Sequence, residues 1–177
     1  MAAVRVESTR LTVAGHLRVP KDVYDSLEAE ARARGMSLNA LVSQVLSTHT
    51  RDDRVLEQVG GAKMPREAFR LILSMVPDDK LSEYGSASAT HVKNTMMIAN
   101  SHGVDLRAVL DELRLASRCG WYSFHEAKKD GKTVITLVHD FGPRYSVVCA
   151  ASSTALFGLV GVRPKITTTD SSVMIEY

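Results

Sequence analysis

Apolar positions alternate along the first part of the chain and then switch to helical spacing. Leu11, Val13, Leu17 and Val19 fall on alternate residues, with Gly15 the odd member of that row, while Arg10, Thr12, Ala14, His16 and Arg18 fill the other. A period of two places the rows on opposite faces of a strand, one apolar and one polar. Pro20 stops such a strand and is tolerated at the first position of a helix. That helix is predicted to bury Val23, Tyr24, Leu27 and Ala31 and to end at Gly35 in a left-handed cap. Ser37 is a good N-cap for a second helix, with Leu38, Leu41, Val42, Val45 and Leu46 on its apolar side.

Beyond a charged exit at Arg51-Asp52-Asp53-Arg54, the Gly60-Gly61 pair marks residues 55–64 as a linker. Helical spacing returns in 65–76 (Phe69, Ile72, Leu73, Val76), in 86–100 (Val92, Met96, Met97, Ile98) and in 105–118 (Leu106, Val109, Leu110, Leu113, Ala116). The last third changes character. Two strand-like runs, 121–128 and 132–141, flank Asp130-Gly131, a strong two-residue hairpin signal. That turn sets Lys129 opposite Lys132, Phe124 opposite Leu137 and Tyr122 opposite His139, giving Tyr122, Phe124, Ile135, Leu137 and Phe141 one shared face. A buried helix is expected from Gly142-Pro143 to about 159, then one or two strands within 163–169 and 171–177. The organisation expected is an N-terminal domain at 1–54, the linker, and an α+β domain at 65–177, with helices first and then an antiparallel sheet with a packed helix.

A lone strand cannot satisfy its own backbone, and a unit of about 40 residues has too small a core to stand by itself. Two copies that pair their strands and interlock their helices solve both problems. The segments His16-Leu17-Arg18-Val19-Pro20-Lys21-Asp22-Val23 and Arg34-Gly35-Met36-Ser37-Leu38-Asn39-Ala40-Leu41 resemble the ribbon-helix-helix DNA-binding family, the group of the Arc and MetJ repressors. The resemblance covers about a quarter of the chain. It implies an intertwined β-α-α dimer whose two-stranded ribbon enters the major groove of double-stranded DNA. It places base-reading positions on Ala14, His16 and Arg18, flanked by Arg10 and Thr12, and a phosphate contact at the start of the second helix, at Ser37, Leu38 and Asn39. Arg18 is the strongest reader, since a guanidinium bonds a guanine edge in two places; Ala14 departs from a polar reader. Transcriptional regulation, as a repressor, follows as the expected function. The C-terminal domain would then serve oligomerisation, giving a homodimer or tetramer, or the sensing of a small-molecule or protein effector.

Charge tempers that expectation. The net charge is only +2, and residues 1–54 hold eight Arg or Lys against seven Asp or Glu. Bulk attraction to nucleic acid is therefore weak, and a focused contact surface is required. The competing expectation is an antitoxin-like interaction module that uses the ribbon mainly for dimerisation. Enzyme signatures are absent: there is no GxSxG, HExxH, GxxxxGK[ST] or GxGxxG, so no catalytic residue and no cofactor is expected. His91, His102, Cys119, His125, His139 and Cys149 lack zinc spacing, and no metal site is expected. The run from His139 to Arg144 suits either an anion at a helix N-terminus or simple capping of that helix by Asp140 or its neighbours. With no apolar leader, no span of bilayer length and no disulfide expected, the chain is placed in the cytoplasm, at the nucleoid and away from membranes.

Overall fold

Pro20, with φ −53° and ψ 148°, ends an extended segment and admits helix α1, Lys21–Ala33, in the computed structural model. The structure describes residues 15–54, 57, 64–99 and 103–177, and divides the chain into two units, Met1–Ser47 and Thr48–Tyr177. In the first unit Gly35 takes φ 64°. Its amide donates to the Arg32 carbonyl (3.1 Å) and that of Met36 to the Ala31 carbonyl (3.0 Å), the paired bonds of a Schellman cap. Helix α2, Leu38–Thr48, follows after Ser37, whose hydroxyl accepts from the Ala40 amide at 3.2 Å. Both caps lie where the sequence predicts them.

The predicted strand does not extend over residues 15–20, which carry no ladder. A strand holds its backbone by pairing, and the first unit has no second strand among the described residues. Residues 10–14, with Arg10, Thr12 and Ala14, lie outside the described residues, as does nearly all of the linker expected at 55–64.

The second unit opens with a π-turn, His49–Asp53. Here Asp52, part of the charged exit, is only 4% exposed. Arg118 grips it with two hydrogen bonds of 2.9 Å each, and this bidentate geometry compensates the burial of the carboxylate. Helix α3 is Arg66–Met75, helix α4 Leu81–Ala99 and helix α5 Leu106–Arg118. Asp105 caps α5 by accepting from the Ala108 amide at 2.7 Å. Of the apolar positions predicted on α3, Phe69 and Leu73 are buried but Ile72 is exposed.

Strands β1, Ser123–Lys129, and β2, Lys132–Val138, form the predicted hairpin, with Asp130 and Gly131 both at positive φ (51° and 78°). Lys129 faces Lys132 and Phe124 faces Leu137, as the two-residue turn requires. Helix α6, Pro143–Gly158, is followed by β3, Lys165–Thr168, and β4, Ser172–Glu176. The sheet order is β1-β2-β4-β3, antiparallel throughout, so the second unit has the expected α+β character. Burial alternates along the two central strands: Ile135, Leu137, Val173 and Ile175 are buried, while Val138 and Met174 are exposed. The buried face meets α6, which touches β3 and β4 on one side and α4 on another.

Contact between α4 and α6 is close enough to require glycine. A Cβ at position 85 would sit 2.4 Å from the Val148 carbonyl oxygen and 2.9 Å from the Ala151 Cβ. Alanine in place of a helical glycine ordinarily gains about 1 kcal/mol. Gly85→Ala should instead destabilise the second unit by about 1–3 kcal/mol through overpacking. Thermal unfolding followed by Trp121 fluorescence measures this, and an unchanged or higher Tm would show that the helices separate without cost.

Candidate functional site

The polar row of the first unit is only partly visible. His16 and Arg18 are exposed, and the segment they occupy leads directly into α1. At the start of α2, Ser37 and Asn39 are exposed and Leu38 is half-buried. The Ala40 amide is taken by the Ser37 hydroxyl, leaving the Leu38 and Asn39 amides as the ones no helix carbonyl reaches. Around these positions many apolar residues are exposed. Ala31 and Leu41 are buried, but Leu17, Val19, Val23, Tyr24, Val45 and Leu46 are exposed, Leu17 at 66%.

The second unit contains a cavity of about 360 Å³ between α4, α5 and α6. Residues at helical spacing build it: Tyr84, Ser88 and Val92 from α4, Val148, Ser152 and Leu156 from α6. Trp121, packed edge-on against Phe69 with ring centroids 4.9 Å apart, closes one side. Into this largely aromatic and aliphatic lining α5 brings one carboxyl group, Glu112. Burial raises its pKa from 4.5 to about 7, with Arg118 opposing the shift. No residue among those described gives it a hydrogen bond. Sequence reasoning passed over Glu112, although the signal was present: Val109, Glu112, Leu113 and Ala116 repeat at helical spacing, so a charged residue interrupts the apolar stripe of α5.

A second hollow, of about 410 Å³, is polar and lined by Arg66, Trp121, His139 and Asp140 among others. Its charges are already paired. Arg66 binds Asp140 at 3.1 Å and the Gly120 carbonyl at 2.7 Å, and Arg70 reaches the Asp140 carbonyl at 2.8 Å. The anion site expected near Arg144 is not assembled. Arg144 turns back to donate to the carbonyls of Leu73 (3.2 Å) and Val76 and to pair with Asp78, closing the C-terminal end of α3. Asp140, expected as a possible cap for α6, engages the two arginines instead, and the N-cap position falls to Gly142.

His139 stands beside this hollow in a fixed tautomer. The Ser146 hydroxyl has one proton, which it donates to the Thr169 carbonyl at 2.6 Å. The 3.0 Å contact between Ser146 Oγ and His139 Nε2 therefore carries the histidine's proton. Nδ1 is left as a bare acceptor, buried and without a partner. Desolvation lowers the pKa of His139 against the opposing charge of Asp140. Among the described residues no three His, Cys, Asp or Glu side chains group to hold a metal ion, and no helix is long and apolar enough to cross a membrane. His102 lies outside the described residues.

No protein-family model, curated protein or solved structure matches the chain.

A half-buried carboxyl with a raised pKa has a defined linkage. Between 4.5 and about 7 the folded chain keeps a proton that the unfolded chain has lost, so Glu112 destabilises increasingly as pH rises. Glu112→Gln mimics the protonated form. Its stability advantage over the parent chain should grow by up to roughly 3 kcal/mol between pH 4.5 and 8, at about 1.4 kcal/mol per pKa unit. Urea unfolding read by Trp121 fluorescence tests this; an advantage independent of pH would place the carboxyl in water.

Proposed function

We propose that the chain is a sequence-specific DNA-binding transcriptional regulator, acting as a dimer through a ribbon-helix-helix unit at residues 10–50. The observation that carries this reading is the apolar excess of the first unit. Two small patches of core, at Ala31 and Leu41, coexist with exposed Leu17, Val19, Val23, Tyr24, Val45 and Leu46. These residues alternate in the extended segment and repeat at helical spacing on α1 and α2, so a second copy placing the same residues opposite would bury them together. The caps of α1 and α2 support the same reading, because they define a helix–turn–helix of the length the resemblance requires. In the dimer His16 and Arg18 would lie on the outer face of the ribbon, with Arg10, Thr12 and Ala14 completing the row, and Ser37, Leu38 and Asn39 would meet a phosphate.

The balance of charge favours a second reading, an antitoxin-like module in which the same dimer serves to present the C-terminal unit to a protein partner. With eight cationic against seven anionic residues in 1–54, the first unit has little general attraction for DNA.

Fluorescence anisotropy with the chain's own upstream DNA and a scrambled duplex, over a salt series, separates the two. The regulator requires tight, sequence-dependent binding with a modest salt slope; equal, weak binding that vanishes near physiological salt points to architectural binding or the interaction module. In the same assay Arg18→Ala should weaken specific binding by about 1–3 kcal/mol and relax specificity at one base position. The variant should sediment as the parent does, and an unchanged operator affinity would remove Arg18 from the readout.

A further inference from the structure

We propose that the cavity between α4, α5 and α6 is a binding site for a small organic cation, an aromatic or aliphatic amine whose ammonium group pairs with Glu112. Its volume, about 360 Å³, lies within the range of small-molecule pockets. Three features fix the chemistry. The lining is mainly apolar and aromatic, with Phe69, Tyr84, Trp121 and Tyr145 contributing rings, which suits a hydrophobic body and also attracts a cation to ring faces. Glu112 supplies a carboxyl group with no hydrogen-bond donor among the described residues, so an ammonium finds an unused acceptor. Among the described residues no Lys or Arg lines the cavity, so a carboxylate or phosphate ligand has no fixed counter-charge from them there.

The other titratable groups at the site are named by the elements that bring them. Tyr84 and His91 come from α4, Tyr145 and Cys149 from α6, and Tyr122 from the segment before β1, while Arg118 on α5 acts on Glu112 from outside the lining. Burial holds the Tyr122 and Tyr145 hydroxyls and the Cys149 thiol in their neutral forms at neutral pH. Glu112, with its pKa near 7, is the one acid among them poised to ionise when a cation arrives. Its presence lowers stability at neutral pH, a cost that ligand pairing offsets. The site lies wholly within the second unit and is independent of what the first unit binds.

Trp121 is the single tryptophan of the chain and lines the cavity, so its fluorescence reports occupancy directly. The full-length protein is titrated with three probes of one shape and different charge: phenethylamine, 2-phenylethanol and 3-phenylpropionate. Phenethylamine should bind about tenfold or more tightly than the alcohol, in keeping with a charge-assisted hydrogen bond, and the carboxylate should bind least. Amine affinity should rise from pH 6 to pH 8 while that of the alcohol stays level. Glu112→Gln should reduce amine affinity to that of the alcohol, and Ala116→Leu, which fills the cavity, should weaken both; circular dichroism confirms that each variant is folded. Equal affinity for all three probes, preference for the carboxylate, an amine affinity indifferent to Glu112→Gln, or no saturable response to any probe would each overturn the assignment.

Discussion

Helices α4 and α6 meet where Gly85 lies against the Val148 carbonyl, with no room for even a methyl group between them. Most of the second unit depends on this approach. Helix α6 is fixed on its other side by the sheet, where Phe157 is fully buried and packs against Tyr177 with ring centroids 5.0 Å apart. The glycine contact therefore sets the position of α4 relative to the sheet through α6. One turn beyond it, Ser88 and Ser152 lie within hydrogen-bond distance at 3.3 Å, and both already line the cavity. The close contact and the cavity are thus successive parts of one helix pair. Backbones held that near leave the shape of the space beyond them to the side chains of Val92, Leu156 and α5.

What was legible in the sequence was local. The Gly35 and Ser37 caps and the Asp130-Gly131 turn each follow from the conformational preferences of one or two residues, and each lies where the pattern places it. The hairpin register came with the turn, because a two-residue loop leaves no freedom in pairing. Long-range features were not legible. That β4 rather than β3 pairs with β2, that Arg118 reaches back to Asp52, and that Arg144 closes the end of α3 depend on which distant segments meet. Glu112 is the intermediate case. Its spacing from Val109, Leu113 and Ala116 is a signal that the sequence reading passed over, and only the assembled helices show that it faces a cavity.

The two units solve the problem of burial differently. The second closes its own core: its sheet has one buried face, and α6 covers it. In the first, good caps and ion pairs along α1, such as Lys21 with Asp25 and Arg32 with Glu28, favour the helices individually. Such exposed pairs contribute well under 1 kcal/mol each and supply no tertiary order. The apolar side chains that would supply it face outward. Helix formation in the first unit is thus encoded locally, whereas its described residues leave most of the apolar side chains that would give it tertiary order exposed. This asymmetry is the physical basis for proposing that a second copy completes it, and it makes that proposal a statement about burial before it is one about DNA.

Within the second unit, burial shifts Glu112 and His139 towards their neutral forms, and the two bias stability in opposite directions. Glu112 lowers stability as pH rises from 4.5 towards about 7. His139, with its pKa depressed, lowers stability as pH falls below the ordinary value of 6.5, because the unfolded chain then takes up a proton that the folded chain refuses. Their ranges overlap, so each masks part of the other in the intact protein. Only Glu112 lines the cavity proposed to take a cation. A bound ammonium stabilises the carboxylate and so lowers its pKa in the complex, which makes ligand capture and proton release one event. His139, locked by Ser146 and Thr169 beside a different hollow, has no part in that exchange. The pH response of an occupied cavity would therefore carry less of the carboxyl's contribution and leave more of the histidine's in view.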